Sequence, residues 1–404
     1  MELISTILRR NRGRVPRDEQ STGFLRLFVS KRLIHGAAGA ILGIFVPIFL
    51  YETAGNQFWV VGGYYALLSV LYVILLAPGM KITNRVGFSH SLIIGGVFSV
   101  LIYTIMYFLT PENIWYWIGP LAAVIVGFRI FHWVPFHVDF TLFTRAGERG
   151  KQVSLHFATI AFMGVIGPIL AGFIIANAGY EALFGVAIVL LMVATISYAF
   201  VPETPTYFDW SIRETWQKLF SPQFRGLAVG EFANGAEVVV NLIVWPIFLY
   251  EILNGDVFEI GAVSTIVVGA TIVIQLVLGR YLDRDSTDKH KTLRIGSTLY
   301  AVGWILKIFV LSAAHVFVVG LYHNIVKIFT KTPFSAIIYD MSAEQGEYVD
   351  EFTVVREMAG HSGRAVCLVV VALLSLIIPI GWTFLLAAAA SIALNLVYRV
   401  HQST

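Results

Sequence analysis

A chain of 404 residues that is 57% hydrophobic and 13% charged, with a mean hydropathy of +0.77, has too little polar surface to enclose its own apolar side chains. Soluble domains carry about a quarter charged residues, so lipid must form the exterior here. The single cysteine, Cys367, excludes an intramolecular disulfide and argues against a cysteine-ligated metal, while the net charge of +3 means little until the charges are placed.

The first 32 residues form a basic arm holding Arg9, Arg10, Arg12, Arg14, Arg17, Arg26, Lys31 and Arg32. Apolar stretches near the 20 or so residues needed to cross a bilayer then follow one another. They fall at 33–51, 58–78, 90–109, 114–138, 153–177, 180–201, 226–250, 257–280, 294–312, 316–339, 354–378 and 381–399. This predicts an all-α integral membrane protein of twelve spans in two six-helix bundles, 33–201 and 226–404. The first stretch follows a polar arm and lacks a small-residue cleavage site, so it reads as a retained helix. Segment 202–225 joins the bundles; Ser211 with Glu214 makes a capping box, and Trp210, Ile212, Trp216, Leu219 and Phe220 predict a short amphipathic surface helix.

The odd-numbered loops contain no Lys or Arg, whereas the even loops hold Lys81, Arg85, Arg145, Arg149, Lys151, Arg213, Lys218, Arg225, Arg284, Lys289 and Lys291. The positive-inside rule puts both termini in the cytoplasm, with the chain in the plasma membrane. The loop 340–351 is acidic, with Asp340, Glu344, Glu347, Asp350 and Glu351, and reads as a solvated loop facing the basic arm.

The chain repeats itself. "PIFLYE" occurs at Pro47–Glu52 and again at Pro246–Glu251, and Gly36–Glu52 matches Gly235–Glu251 at nine of 17 positions. Pro135–Phe136 and Pro333–Phe334 echo each other, as do "NRVG" at Asn84–Gly87 and "DRDS" at Asp283–Ser286. Same-order repeats of six spans point to two halves that rock about a site between them. The two prolines are expected to kink equivalent helices. Glu52 and Glu251 mark the outer boundary, so the repeated hexapeptide reads as gate-helix architecture, not as a binding motif.

Four segments resemble the major facilitator superfamily over residues 30–400. They are "GRYLDR" (Gly279–Arg284), with "MKITNRVG" as a degraded first-half copy; Arg129 in "VIVGFRIFHW"; the Gly-Pro run Gly164–Gly172, which includes Gly167 and Pro168 and is known mainly from antiporters; and "VPET" at Val201–Thr204. The resemblance implies that helices 1, 4, 7 and 10 line a central cavity and that helices 3, 6, 9 and 12 face lipid. It implies a loop motif in Asn84, Arg85, Gly279, Asp283 and Arg284. Asp139 and Asp340, at the inner ends of spans 4 and 10, are placed to bond Arg85 and Arg284 and so latch an inward gate. Gly164, Gly167, Pro168 and Gly172 are assigned to helix packing.

An ionisable residue at membrane depth is costly and therefore a functional candidate. The cavity helices supply His35; Arg129, His132 and His137; Asn234, Glu237 and Asn241; and His323, Asn324 and Lys327. Glu231, also on span 7, reads as an interfacial salt-bridge partner; Lys331 shares a stripe with Lys327; Lys307, on span 9, is expected to snorkel. Glu357, His361 and Arg364 stand at i, i+4, i+7 and are expected to form an internal network. Glu237 stands apart, because the repeat places Ala38 opposite it. It lies about 18 Å, at 1.5 Å per residue, from Arg225, near the bilayer centre. Burial favours its neutral form and a cation such as Lys327 or Arg129 its ionised form, so three roles stay open: proton coupling, substrate contact and structural ion pair.

The leading reading is a monomeric secondary active transporter of a small solute, proton-coupled and of the efflux-antiport kind. The alternative is an organic-anion or zwitterion uniporter or symporter that uses Arg129 and Lys327. A membrane-embedded enzyme lacks any nucleophile elbow, HExxH or phosphate loop here, and a non-transporting receptor stays open. No cofactor, metal or nucleic acid is expected; the partners are a small-molecule substrate, protons and the bilayer.

Overall fold

Hydrocarbon offers a backbone no hydrogen-bond partner, so a lipid-exposed segment must satisfy its own amides, and a helix does so. A computed structural model describes residues 17–143, 149–204, 207–282, 289–344 and 349–397; among these residues every regular element is helical. The basic residues Arg9 to Arg14, Arg145 and Arg284, and the acidic Glu347, lie outside the described residues.

Helix α1 (Arg17–Leu27) widens to π geometry over Phe28–His35 and continues as α2 (Gly36–Leu42). After a turn at Gly43–Ile44 comes α3 (Phe45–Thr53), bent by 42° from what precedes it. Pro47 lacks the N–H that the carbonyl of Gly43 would receive, which accounts for the break. The second copy differs: α9 (Arg225–Val239) passes through π geometry at Val240–Val244 directly into α10 (Trp245–Ile252), where Pro246 stands four residues after Leu242, and Pro222–Ile252 counts as one span without the 42° break of the first copy. Between them run α4 (Phe58–Val86), α5 (Phe88–Tyr107), α6 (Ile114–Phe143) and α7 (Arg149–Tyr198). The linker helix α8 spans Ile212–Leu219, and the Ser211 side chain caps it by accepting from the Glu214 N–H at 3.1 Å. Then follow α11 (Val257–Leu282), α12 (Lys289–Lys307), α13 (Ala313–Glu344), α14 (Val349–Leu374) and α15 (Phe384–Ala393).

Eight helices among the described residues are long and apolar enough to cross a membrane, and the bent pair ending at Thr53 makes a ninth. The expected fifth and sixth stretches fall in one run, α7, interrupted at Gly179 with φ 78°. The ninth is α12, whose start at Lys289–Lys291 is polar; the twelfth is shortened by a 3-10 turn at Ile380–Thr383.

Packing pairs recur along the chain. α2 packs on α7 and α9 on α14; α5 packs on α6 and α12 on α13; α4 packs on α14 and α7 on α11. Small residues make the close approaches. A Cβ on Gly167 would meet the Ala40 carbonyl at 2.5 Å, and one on Gly172 the Val257 carbonyl at 2.6 Å. The Pro168 carbonyl lies against Gly261, while Gly164 has only Val268 near it, at 3.7 Å. Gly235 and Gly363 press still closer on the carbonyls of Gly360 and Phe232, clamping α9 to α14.

Gly235→Ala and Gly363→Ala are therefore expected to destabilise the protein by at least the roughly 1–3 kcal/mol typical of overpacking. Gly63→Ala, where nothing lies within 4 Å, is expected to be neutral to stabilising by up to about 1 kcal/mol. Thermal unfolding followed by size-exclusion chromatography in detergent checks this; equal midpoints for all three would overturn the packing assignment.

Candidate functional site

Residues three apart on a helix share a face, and on α9 this brings Glu231, Asn234 and Glu237 into one row. Glu237 is 1% exposed. Its Oε1 accepts from the Tyr300 hydroxyl at 2.7 Å, and its Oε2 pairs with the Lys331 ammonium. Lys331 also donates to Asn234 Oδ1 at 2.6 Å; Asn234 Nδ2 donates to Glu231 Oε2 at 2.9 Å; and Arg356 Nε donates to Glu231 Oε1 at 3.0 Å. One polar chain thus runs from α12 through α9 and α13 to α14, beside a cleft of about 70 Å³ bordered by Ser335 and Phe334. Lys327 lies within electrostatic reach of Glu237 and Lys331. It makes no hydrogen bond or ion pair among the described residues. Asn241 and Asn324 are partly buried on the same helices.

The expectation that Lys307 snorkels is overturned. Its side chain is buried, with the ammonium 4.0 Å from the Trp245 ring centroid and 4.1 Å from that of Trp304. The cause is a face of α12 that the span-level assignment to lipid overlooked. Tyr300, Trp304 and Lys307 point inward, whereas Leu299, Val302, Leu306 and Phe309 are exposed. His323 is enclosed by the same rings, 4.5 Å from Tyr300 and 4.6 Å from Trp304, and neither ring nitrogen has a hydrogen-bond partner. That geometry is one of packing.

In the first half of the chain the polar residues sit among aromatic rings. His35 stacks on His132 at 4.8 Å, Phe128 lies against both, and Tyr198 meets His132 edge-on at 5.7 Å. His137 stacks on Trp133 at 5.9 Å, and Lys31 sits over the same indole at 4.9 Å. Arg129 belongs to a separate group. It is within electrostatic reach of Tyr64, Tyr65 and Tyr72 on α4 and Arg364 on α14, and its Nη1 is buried without a hydrogen-bond partner. Tyr72 packs on His361 at 4.4 Å, Arg364 Nη1 lies 3.2 Å from His361 Nε2, and Glu357 Oε2 lies 3.8 Å from that nitrogen. The structure thus brings Glu237 and Lys327 together and gives Arg129 other neighbours.

The linker end is strapped down by backbone contacts. Asn84 donates to the Phe208 carbonyl at 2.7 Å and accepts from the Phe208 N–H at 2.9 Å; Lys81 donates to the Phe208 and Asp209 carbonyls. The Asp209 N–H donates to Glu351 at the start of α14, at 3.0 Å. Asp139 accepts from Thr204 at 2.6 Å and is buried, whereas Arg85 is exposed, so the expected Asp139–Arg85 latch does not form. Gly279 lies on α11 and Asp340 on α13, with the Asp340 side chain outside the description; Asp283 and Arg284 lie outside the described residues.

Comparison with known proteins completes the picture. Residues 227–402 match the family model described as Major Facilitator Superfamily. No curated protein matches the chain by sequence. Among solved structures, a mutant of the peptide transporter POT in complex with alafosfalin superposes with a TM-score of 0.65 at 10% identity, covering 96% of this chain and 98% of that one. A POT family transporter in complex with 5-aminolevulinic acid gives 0.62 at 12%, covering 96% of each, and POT in complex with sulfate gives 0.65 at 9%, covering 95% of each. The chain carries the major facilitator fold. The resemblance read from its motifs is thereby shown, by sequence for the second half and by fold for nearly the whole length. The matched half is the one that keeps "GRYLDR"; the degraded copy stands in the other. A major facilitator fold built of these apolar helices is that of a multi-pass membrane protein.

Removing one partner of a buried pair leaves the other uncompensated, at a cost of about 3–5 kcal/mol. Lys331→Ala is therefore expected to lower the thermal midpoint sharply. Lys331→Met combined with Glu237→Gln is expected to recover most of it, because no buried carboxylate then lacks its cation. Midpoints for the single and double variants that simply add would show that the two side chains are not coupled.

Proposed function

We propose that the chain is a secondary active transporter that moves an anionic small solute by alternating access. The observation that carries this is the pair Arg129 and Lys327, repeat-related cations on α6 and α13 without a carboxylate bonded to either among the described residues. Around them stand Lys307, Lys331, Arg356 and Arg364, against Glu231, Glu237 and Glu357. Buried cations that outnumber the carboxylates beside them favour a negative guest. One neighbour of this fold holds sulfate and another 5-aminolevulinic acid, which fits the same chemistry.

The architecture we assign is twelve spans in two six-helix bundles, 33–201 and 226–404, with linker 202–225 and basic arm 1–32. The nine spans become twelve when α7 is divided at Gly179 and α12 and the helix ending at Ala393 are counted. The recurring packing pairs support the symmetry. The basic even loops put both termini in the cytoplasm. Proton coupling is assigned to Glu237, whose bond to Lys331 competes with a proton. A second reading, proton-driven efflux of a cationic solute, draws on the Gly164–Gly172 run, which sits backbone to backbone on α2 and α11.

Counterflow in proteoliposomes with labelled phosphate, sulfate, glutamate and a dipeptide, and tetraphenylphosphonium as the cationic contrast, separates these readings. Exchange of an anion is expected, falling at least tenfold in Arg129→Ala and in Lys327→Ala while both variants stay folded. Glu237→Gln is expected to keep exchange but lose accumulation driven by a pH gradient. Transport of tetraphenylphosphonium alone, unchanged in both cation variants, would replace this reading with the second.

A further inference from the structure

The end of the molecule opposite the linker carries a contact that the transport reading does not use. The Tyr51 hydroxyl donates to Glu251 Oε1 at 2.6 Å, and the Tyr250 hydroxyl donates to Glu52 Oε1 at 2.6 Å. The two rings meet edge-on, 6.2 Å apart at 79°. These four residues are the last two positions of each "PIFLYE" copy. Each copy's tyrosine bonds the other copy's glutamate, as a local twofold relation requires.

The backbone sets the exchange up identically on both sides. Helix α3 ends with the Asn56 N–H donating to the Tyr51 carbonyl at 2.9 Å, and α10 with the Gly255 N–H donating to the Tyr250 carbonyl at 2.9 Å. Both ends pass through left-handed residues, Gly55 and Asn56 at φ 71° and 60°, and Asn254 and Gly255 at φ 51° and 77°. These matching stops fix each Tyr-Glu pair at the tip of a proline-containing helix, under an open hollow bordered by Asn56 and Asn254.

We propose that Tyr51, Glu52, Tyr250 and Glu251 form a reciprocal gate that holds the two halves together on the outer side and separates when the cavity opens there. The proposal rests on the two-bundle transport reading. Three observations favour a gate over plain packing. Packing of the rings would be met by phenylalanine, but both copies keep the hydroxyl and its acceptor. Neither carboxylate has a Lys or Arg partner among the described residues; the gate phenols donate to both, and Tyr180 lies within electrostatic reach of Glu52 besides. Both pairs lie at the surface end of their helices, where water can replace each bond as the halves part.

Double electron–electron resonance tests this. Spin labels are placed at the exposed Glu112 and Ala314, one on each half, by Glu112→Cys and Ala314→Cys in a Cys367→Ala background. The native gate is expected to give one short-distance population. Tyr51→Phe with Tyr250→Phe is expected to add a longer-distance population exceeding a tenth of the molecules. The two single variants are expected to shift it in the same direction, Tyr250→Phe by less because Tyr180 also lies near Glu52. Glu52→Gln with Glu251→Gln, which keeps the acceptors and removes the charge, is expected to shift the same way by less. Unchanged distributions in both double variants overturn the gate. The measurement needs no substrate, so its failure leaves the transport reading standing, and a failure to find transport leaves this result standing.

Discussion

A charge in hydrocarbon must find its counter-charge inside the protein, and the second half of this chain is arranged around that need. Glu237 is held by a phenol on one side and an ammonium on the other. Those donors come from α12 and α13, so a carboxylate on α9 fixes how three helices sit against one another. Asn234 and Glu231 extend the same row to Arg356 on α14. Ring faces also hold cations: Lys307 lies between two indoles and Lys31 over Trp133 and Phe136. A ring quadrupole attracts a cation without itself needing a partner in lipid.

What was legible in the sequence was whatever is local or periodic. The apolar stretches, the repeated proline, the capping box at Ser211 and the polar row of α9 all follow from spacing along one helix. Pairings between helices did not. Tyr300, Trp304 and Lys307 share a face of α12 at i, i+4, i+7, yet a rule that sends a whole helix to lipid hides a face that turns inward. Asp139 sits at the right end of its helix to reach Arg85, but Thr204 in the linker is nearer and takes the bond. Asn84, where the family loop motif has an acidic residue, proves to be a backbone clamp. Its amide offers both a donor and an acceptor to Phe208, which a carboxylate cannot do.

The repeat also shows what the fold itself requires. The Tyr-Glu ends recur because both copies need the same tip. The interior does not recur. Arg129 and Lys327 occupy equivalent positions, but tyrosines surround the first and a carboxylate and an ammonium the second. Glu237 has Ala38 as its counterpart, and His132 has Thr330. Shared architecture with divergent interiors is what a site between two halves permits, since each half contributes a different wall.

Magnitudes then decide which contacts can move in the proposed cycle. A hydrogen bond to a charged group contributes about 1.5–3 kcal/mol net, so the two Tyr–Glu bonds together supply about 3–6 kcal/mol. Moving a two-state equilibrium from 1:99 to 99:1 takes about 5.5 kcal/mol, so a latch of this size can hold one state and still be released by a ligand. Breaking the Glu237–Lys331 pair would cost a similar amount. All its members, from Glu231 to Arg356, belong to the second half, so a rocking motion leaves it whole. An interior polar group that does straddle the halves is Tyr72 on α4 against His361 on α14, with Arg129 and Arg364 beside them. It holds two guanidinium groups with buried nitrogens that lack acceptors. An anion entering between them would supply those acceptors, and it would do so where the two halves meet.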